Sequence, residues 1–266
     1  MNRSARDIFM VCSAAGALLC GSTNGARAQS PRPAAKRTFN RAIVTVMFDD
    51  GYASVHDAAR PILKKYGFQS TEFIVSGAIG KSDFFDHPVM PKGEIDDLAR
   101  DGDEIESHSV THPHLTRLTP AQLDDELSRS KAVLEAWYPP IDAFALPYGE
   151  SNAAVMAAVK KHYRYCRTSR GGYNELADFD PYLIRIQAVT SATTLAEVRG
   201  WLDHARKSNS WLAILYHDIG PAKGDLYTIP PGRFQAQMSA VRDSGLPVLT
   251  LRQAVGEIRS QLAQRR

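Results

Sequence analysis

From Ala42 to the end of the chain, short apolar runs rich in β-branched and aromatic residues alternate with longer stretches of helical periodicity. That alternation restricts the fold more than any other feature of the sequence. "AIVTVMF" (42–48) leads into an amphipathic segment from Ser54 to Tyr66, where Val55, Ala58, Ala59, Ile62 and Leu63 recur at threes and fours. "TEFIVS" (71–76) precedes a helical pattern that Gly102 stops, and "DEIES" (103–107) precedes Thr119 to Trp137, where Thr119, Pro120 and Gln122 spell a capped helix start. "AFAL" (143–146), "RYCRT" (164–168), "LIRIQAV" (183–189), "WLAILY" (211–216) and "PVLTL" (247–251) continue the series. Such alternation means parallel strands joined by crossover helices, in an open doubly wound sheet or a closed barrel. About eight strand candidates, with no glycine-rich nucleotide fingerprint after the first, favour a single-domain α/β barrel.

In a (β/α) barrel the chemistry gathers where strands end. Four polar clusters follow apolar runs directly: Asp49 and Asp50 in "MFDDG", His108 and His112 in "ESHSVTHPH", Pro147, Tyr148 and Gly149 after "AFAL", and His217 and Asp218 after "WLAILY". Parallel strands bring all four to one rim. Two imidazoles four residues apart face one way if a helical turn joins them, which is the reach of one metal ion, and Pro113 ends such a turn at His112. Beside two neutral imidazoles a dication takes a carboxylate, which Asp49 or Asp50 supplies. Neighbours on a strand point to opposite sides, so the second acid is left free for another task. His217 titrates near neutrality when unperturbed and suits proton transfer. Each piece alone has a plainer account: an exposed histidine pair, an Asp-Gly turn, a core imidazole bonded to backbone. Their joint placement favours a metal centre.

The first 28 residues differ from the rest. Arg3 and Arg6 precede an apolar, small-residue run from Ile8 to Gly21, and alanines stand at 26 and 28. This order predicts a secretory signal peptide over 1–28, too short in its apolar part for a bilayer span, and hence a secreted or periplasmic protein. Residues 29–40, with two prolines and no periodicity, are expected to form a flexible leader before a domain at 41–266. Loss of Arg3, Arg6, Arg27 and Asp7 with the signal leaves a nearly neutral chain, with no basic field for nucleic acid or an anionic membrane. Cys12 and Cys20 leave too, so Cys166 stands alone and no disulfide framework is expected. Nothing in the sequence assigns an oligomeric state.

The ordered motifs resemble those of the polysaccharide deacetylases of carbohydrate esterase family four. "MFDDG" looks like the first motif, His108 to His112 the second, "FALPYG" (144–149) the third and "ILYHD" (214–218) the histidine motif near the end. The likeness runs from about Ala42 to Leu251. It implies a distorted (β/α) barrel, commonly of seven strands, that removes acetyl groups from an acetylated, N-acetylglucosamine-containing polysaccharide. It further implies that Asp50, His108 and His112 hold a divalent metal, zinc first, with cobalt or nickel as alternatives. Asp49 would be the general base and His217 the general acid. Pro147 and Tyr148 would contact substrate, the Tyr148 amide at the oxyanion, and Leu215 would line the acetyl methyl pocket. Two departures stand out. The third motif carries Ala145 where many members have the arginine that pairs with the base, and Arg185 is one replacement. The fourth motif, an acid bracing the catalytic histidine, has only Asp178 or Asp180 to offer. "FDDGY" and the absent arginine lean toward the branch acting on poly-N-acetylglucosamine. Alternatives are an O-acetyl esterase on acetylated xylan, an inactive sugar-binding homologue, and an iron(II) oxygenase using two histidines and a carboxylate. Strand–helix alternation argues against the last, and intact Asp49 and His217 argue against the inactive homologue.

Overall fold

The computed structural model describes residues 38–221 and 224–263. The expected signal peptide and all but the last three residues of the leader lie outside them. Seven strands pair in sequence order, all parallel: β1 (Ile43–Phe48), β2 (Ser70–Ile74), β3 (Glu104–Ser107), β4 (Ala143–Ala145), β5 (Tyr165–Gly171), β6 (Ile184–Ala188) and β7 (Trp211–Tyr216). β1 also pairs with β7 along its whole length, which closes the barrel. The ring is uneven. β3 and β4 share only the Ser107–Phe144 pair, and the β5–β6 register shifts between Arg167 and Gly171.

Helices α1 (Arg60–Tyr66), α2 (Lys92–Asp101), α3 (Pro120–Glu135), α4 (Ala153–His162), α5 (Leu195–Ser208), α6 (Pro231–Asp243) and α7 (Leu251–Ala263) fill the connections, except that β5 passes to β6 without one. A π-helical turn at Val55–Ala59 leads into α1. Gly102 ends α2 at φ 95°, where glycine pays no Cβ penalty, and Thr119 and Gln122 cap α3 reciprocally. No helix among the described residues is long and apolar enough to cross a membrane.

The eighth strand candidate, 247–251, is not a strand. Only Val248 bridges β1, through Val44 N to Pro247 O at 2.9 Å and Leu249 N to Val44 O at 2.9 Å. β2 joins β1 only from Val46 onward, so this segment satisfies the backbone groups that β2 leaves open. A closed ring then has no edge for another strand, and α7 begins at Leu251.

β1 and β7 bury both faces along their whole length, which is why they are almost entirely apolar. In β1, Val44, Val46 and Phe48 pack outward on the α1, α5 and α6 side, whereas Ile43 and Met47 face the barrel interior with Phe73, Ala143, Ala145, Ile184, Ile186, Ala213 and Leu215. From below, α7 plugs the barrel with Leu251, Ala254, Val255 and Ile258.

Candidate metal centre and catalytic cleft

The inward parity of the strands continues one residue beyond the apolar interior. Asp49 follows Met47 by two, His217 follows Leu215, and Arg167 follows Tyr165, while Ala145 contributes only its backbone. His108 extends the alternation of β3 in the same way. Four polar side chains therefore crown the barrel axis, and all but His217 are almost fully buried. Asp50 has the opposite parity and would point outward if the strand continued. Its φ of 71°, followed by Gly51 at 76°, turns the chain back and carries Asp50 to the same rim.

The helical turn expected between His108 and His112 does not form. Ser109 and His112 are left-handed, at φ 68° and 58°, and Pro113 disfavours the right-handed helical region at His112. The Glu126 carboxylate holds the loop by accepting from Val110 N (2.8 Å) and Thr111 N (2.9 Å), and the Ser109 hydroxyl accepts from His112 N (2.9 Å). The two imidazoles still converge, with ring centroids 4.8 Å apart.

Asp50 Oδ1 lies 3.7 Å from His108 Nε2 and 3.6 Å from His112 Nε2. Those separations are too long for hydrogen bonds, and the buried Asp50 Oδ1 has no hydrogen-bond partner. They match the roughly 3.4 Å that a tetrahedral ion with ~2.1 Å bonds imposes between its ligand atoms. His108 Nδ1 donates to Ala145 O at 2.9 Å, which leaves the Nε2 lone pair facing Asp50. Burial pushes His108 down to about 3 and His112 down to about 4, so both are neutral and able to ligate. Burial, reinforced by Asp49, raises Asp50 to about 7. The three residues fit a divalent cation, whose charge would keep Asp50 ionised.

Asp49 serves differently. Burial works to raise its carboxyl, but the Arg167 guanidinium and the facing His108 and His217 outweigh that and hold it below its usual range. Arg167 Nη2 donates to Asp49 Oδ2, and the same oxygen is 3.7 Å from His108 Nε2 and 3.8 Å from His217 Nε2. The arginine missing at Ala145 is thus supplied from position 167, which is the register partner of Ala145 across the β4–β5 pair. Arg185 does not substitute. It bonds Asp178 Oδ2 at 2.9 Å, away from the rim, because β6 carries it on the partly exposed face. Asp178 and Asp180 do not brace His217 either, since Asp180 Oδ1 accepts from Tyr182 N and the buried His217 Nδ1 has no partner. The sequence signal for Arg167 was available in the inward parity of "RYCRT".

These groups line a cleft of about 460 Å³. Leu215 and Tyr148 line it as well, whereas Pro147 is buried and is not part of its lining. Tyr148, at φ 55°, sets its ring on His112 (4.5 Å) and stacks on His114 (4.2 Å, 14°). Gly149 is required beside it, since a Cβ there would meet Ser169 Oγ at 1.9 Å. The rest of the lining, not anticipated from the sequence, includes Phe85, His87, Asp225 and Tyr227 on two long loops.

The family model for polysaccharide deacetylases matches residues 36–166. The Bacillus subtilis (strain 168) protein YxkH is 31% identical over 119 residues, covering 44% of this chain and 41% of that one. The poly-β-1,6-N-acetyl-D-glucosamine N-deacetylase of Staphylococcus epidermidis is 28% identical over 137 residues, covering 48% and 47%. The chain therefore spans less than half the length of these curated relatives. Among solved structures, a family 4 acetyl xylan esterase from Clostridium thermocellum, in complex with a cobalt ion, shares the fold at TM-score 0.55 and 19% identity, over 79% of this chain and 89% of that one. Two carboxylates, two close imidazoles and a third histidine thus crown one barrel rim in a chain that is similar to the polysaccharide deacetylases over residues 36–166.

Proposed function

We propose that this protein is a metal-dependent hydrolase that removes N-acetyl groups from an N-acetylglucosamine-containing polysaccharide. One observation carries the reading: the Asp50, His108 and His112 triad shares its cleft with a separate carboxylate, Asp49, that sits between His108 and His217. A bound dication supplies a Lewis acid that polarises the acetyl carbonyl and makes water a better nucleophile near neutral pH. Asp49, held ionised by Arg167, takes the proton from the attacking water. His217 donates a proton to the departing amine, and the tetrahedral oxyanion meets the Tyr148 N–H at the cleft wall. Leu215, buried next to His217, receives the acetyl methyl. Zinc is the proposed metal, and export through residues 1–28 belongs to the same proposal, checked by a mature protein that begins at Gln29.

Support for the sugar comes from the relative named as a poly-β-1,6-N-acetyl-D-glucosamine N-deacetylase. The test is acetate release from poly-N-acetylglucosamine, chitin oligomers, peptidoglycan and acetylated xylan, after loading with zinc, cobalt or nickel. Turnover of a glucosamine polymer with none of xylan is the expected result. Release from xylan alone would make the protein an ester hydrolase using the same residues.

A further inference from the structure

Besides Tyr148, whose N–H the proposed reaction uses and whose ring packs on His112 and His114, the cleft has two exposed aromatic residues that the reaction does not use. Phe85 is 50% exposed at the tip of a hairpin in which Phe84 N donates to His87 O (2.8 Å) and His87 N to Phe84 O (3.2 Å). Phe85 and Asp86 are both left-handed, at φ 53° and 64°, positions where such turns favour Asn and Gly. A bulky residue in that conformation is strained, and the strain presents a phenyl ring to solvent 5.3 Å from the His112 ring. Tyr227 is 43% exposed on the loop after β7, with its ring 4.5 Å from that of His217. Its loop is pinned by Asp225 Oδ1, which accepts from Tyr227 N (3.0 Å) and Thr228 N (2.6 Å), and by Thr228 Oγ1 donating to Asp218 Oδ2 (2.7 Å).

The two rings line the same cleft from different sides. One stands by the metal-ligand candidate His112 that follows β3, the other by His217 that follows β7, and these strands lie on opposite flanks of β1 and its Asp49. Apolar rings fixed in place and left open to water present faces that complement the C–H faces of a pyranose, and ordering them ahead of binding lowers the cost of stacking. We propose that Phe85 and Tyr227 are specificity-determining residues that stack the sugars on either side of the one being deacetylated. The inference rests on the deacetylase reading. It makes the protein selective for internal residues of a chain of three or more sugars over the free monosaccharide.

The test compares wild type with Phe85→Ala and Tyr227→Ala on N-acetylglucosamine and its β-linked oligomers up to the pentamer, all zinc-loaded with metal content measured. Each substitution is expected to lower the pentamer-to-monomer ratio of kcat/KM about tenfold. The loss should lie mainly in KM, and Phe85→Tyr and Tyr227→Phe, which keep the rings, should restore the ratio. An unchanged ratio, a failure of both ring-retaining variants to restore it, or a Phe85→Ala loss explained wholly by lost zinc overturns the proposal. If wild type releases no acetate from any glycan, it is the deacetylase reading that fails. Calorimetric titration with the pentamer then decides the stacking by itself: weaker binding in both alanine variants supports it, and equal or absent binding overturns it.

Discussion

The two ends of the barrel carry the same chemical groups and treat them in opposite ways. At the lower end Glu104 and Glu106 face inward with Arg252, and at the upper end Asp49 and Asp50 do so with Arg167. Below, Glu106 accepts from Ala143 N (2.7 Å) and Arg252 Nη2 (2.8 Å), and Glu104 accepts from Thr71 Oγ1 (3.2 Å) and from Arg252 N (2.9 Å) in the first turn of α7. A helix N-terminus and a guanidinium absorb the charge, and the helix shuts out water. Above, Asp49 Oδ1, Asp50 Oδ1, His112 Nδ1 and His217 Nδ1 are buried without partners, and the end stays open as a cleft. Glu104 Oε1 and Arg252 Nε at the lower end lack partners too, but the cleft does not reach them, whereas the unsatisfied groups above line it and are open to a cation and a substrate.

That contrast breaks most sharply at the ligands. His112→Ala should abolish stoichiometric metal binding, read by atomic absorption after dialysis, and reduce acetate release to background, as chelation of the wild type should. Next in size, Asp49→Asn should lower turnover about 10³-fold while leaving metal content intact, since it removes the base but not a ligand. An Asp49→Asn protein that lost its metal would merge the two roles separated above.

Arg167→Ala sharpens the comparison. Without its guanidinium, burial of Asp49 is no longer outweighed and the carboxyl titrates higher, so the acid limb of the kcat/KM profile should move to higher pH, with about a 10²-fold loss below the new limb. An acid limb that stays in place would dissociate Asp49 from it. At the other end Arg252→Met should behave oppositely, costing about 2 kcal/mol in urea unfolding because Glu106 keeps its burial and loses its cation, with kcat/KM unchanged.

The smallest effect is in pH-dependent stability. Glu72 is fully buried on β2 and burial raises it well above its ordinary 4.5. A carboxyl that binds its proton more tightly when folded stabilises the protein most below pH 4.5, and that contribution is lost as pH rises through the folded value. Glu72→Gln should flatten the fall in melting temperature above pH 4.5, and an unaltered slope would place its origin elsewhere, for instance at Asp103, raised by burial to about 6.

How far the site was legible in sequence can be traced residue by residue. Asp49, His108 and His217 follow from strand parity, since Asp49 and His217 stand two positions beyond the last inward residue of an apolar run and His108 stands two beyond the inward Glu106. The capped start of α3 and the glycine stop of α2 are local, and local chemistry reads directly. By contrast, "PVLTL" has strand composition, yet it cannot pair, because β1 already has β7 on one side and β2 from Val46 on the other.

The sequence by itself determined the parallel alternation and the residue types that reach the rim, because side-chain period and apolar burial are properties of each strand alone. Tertiary structure decided which of those residues meet. The left-handed turn at Asp50 redirects one acid, two left-handed residues rather than a helical turn join His108 to His112, and inter-strand register sets Arg167 in the place that Ala145 leaves empty. Register depends on pairing between separate strands and closure on β1 meeting β7 more than 160 residues later, and no local pattern encodes either.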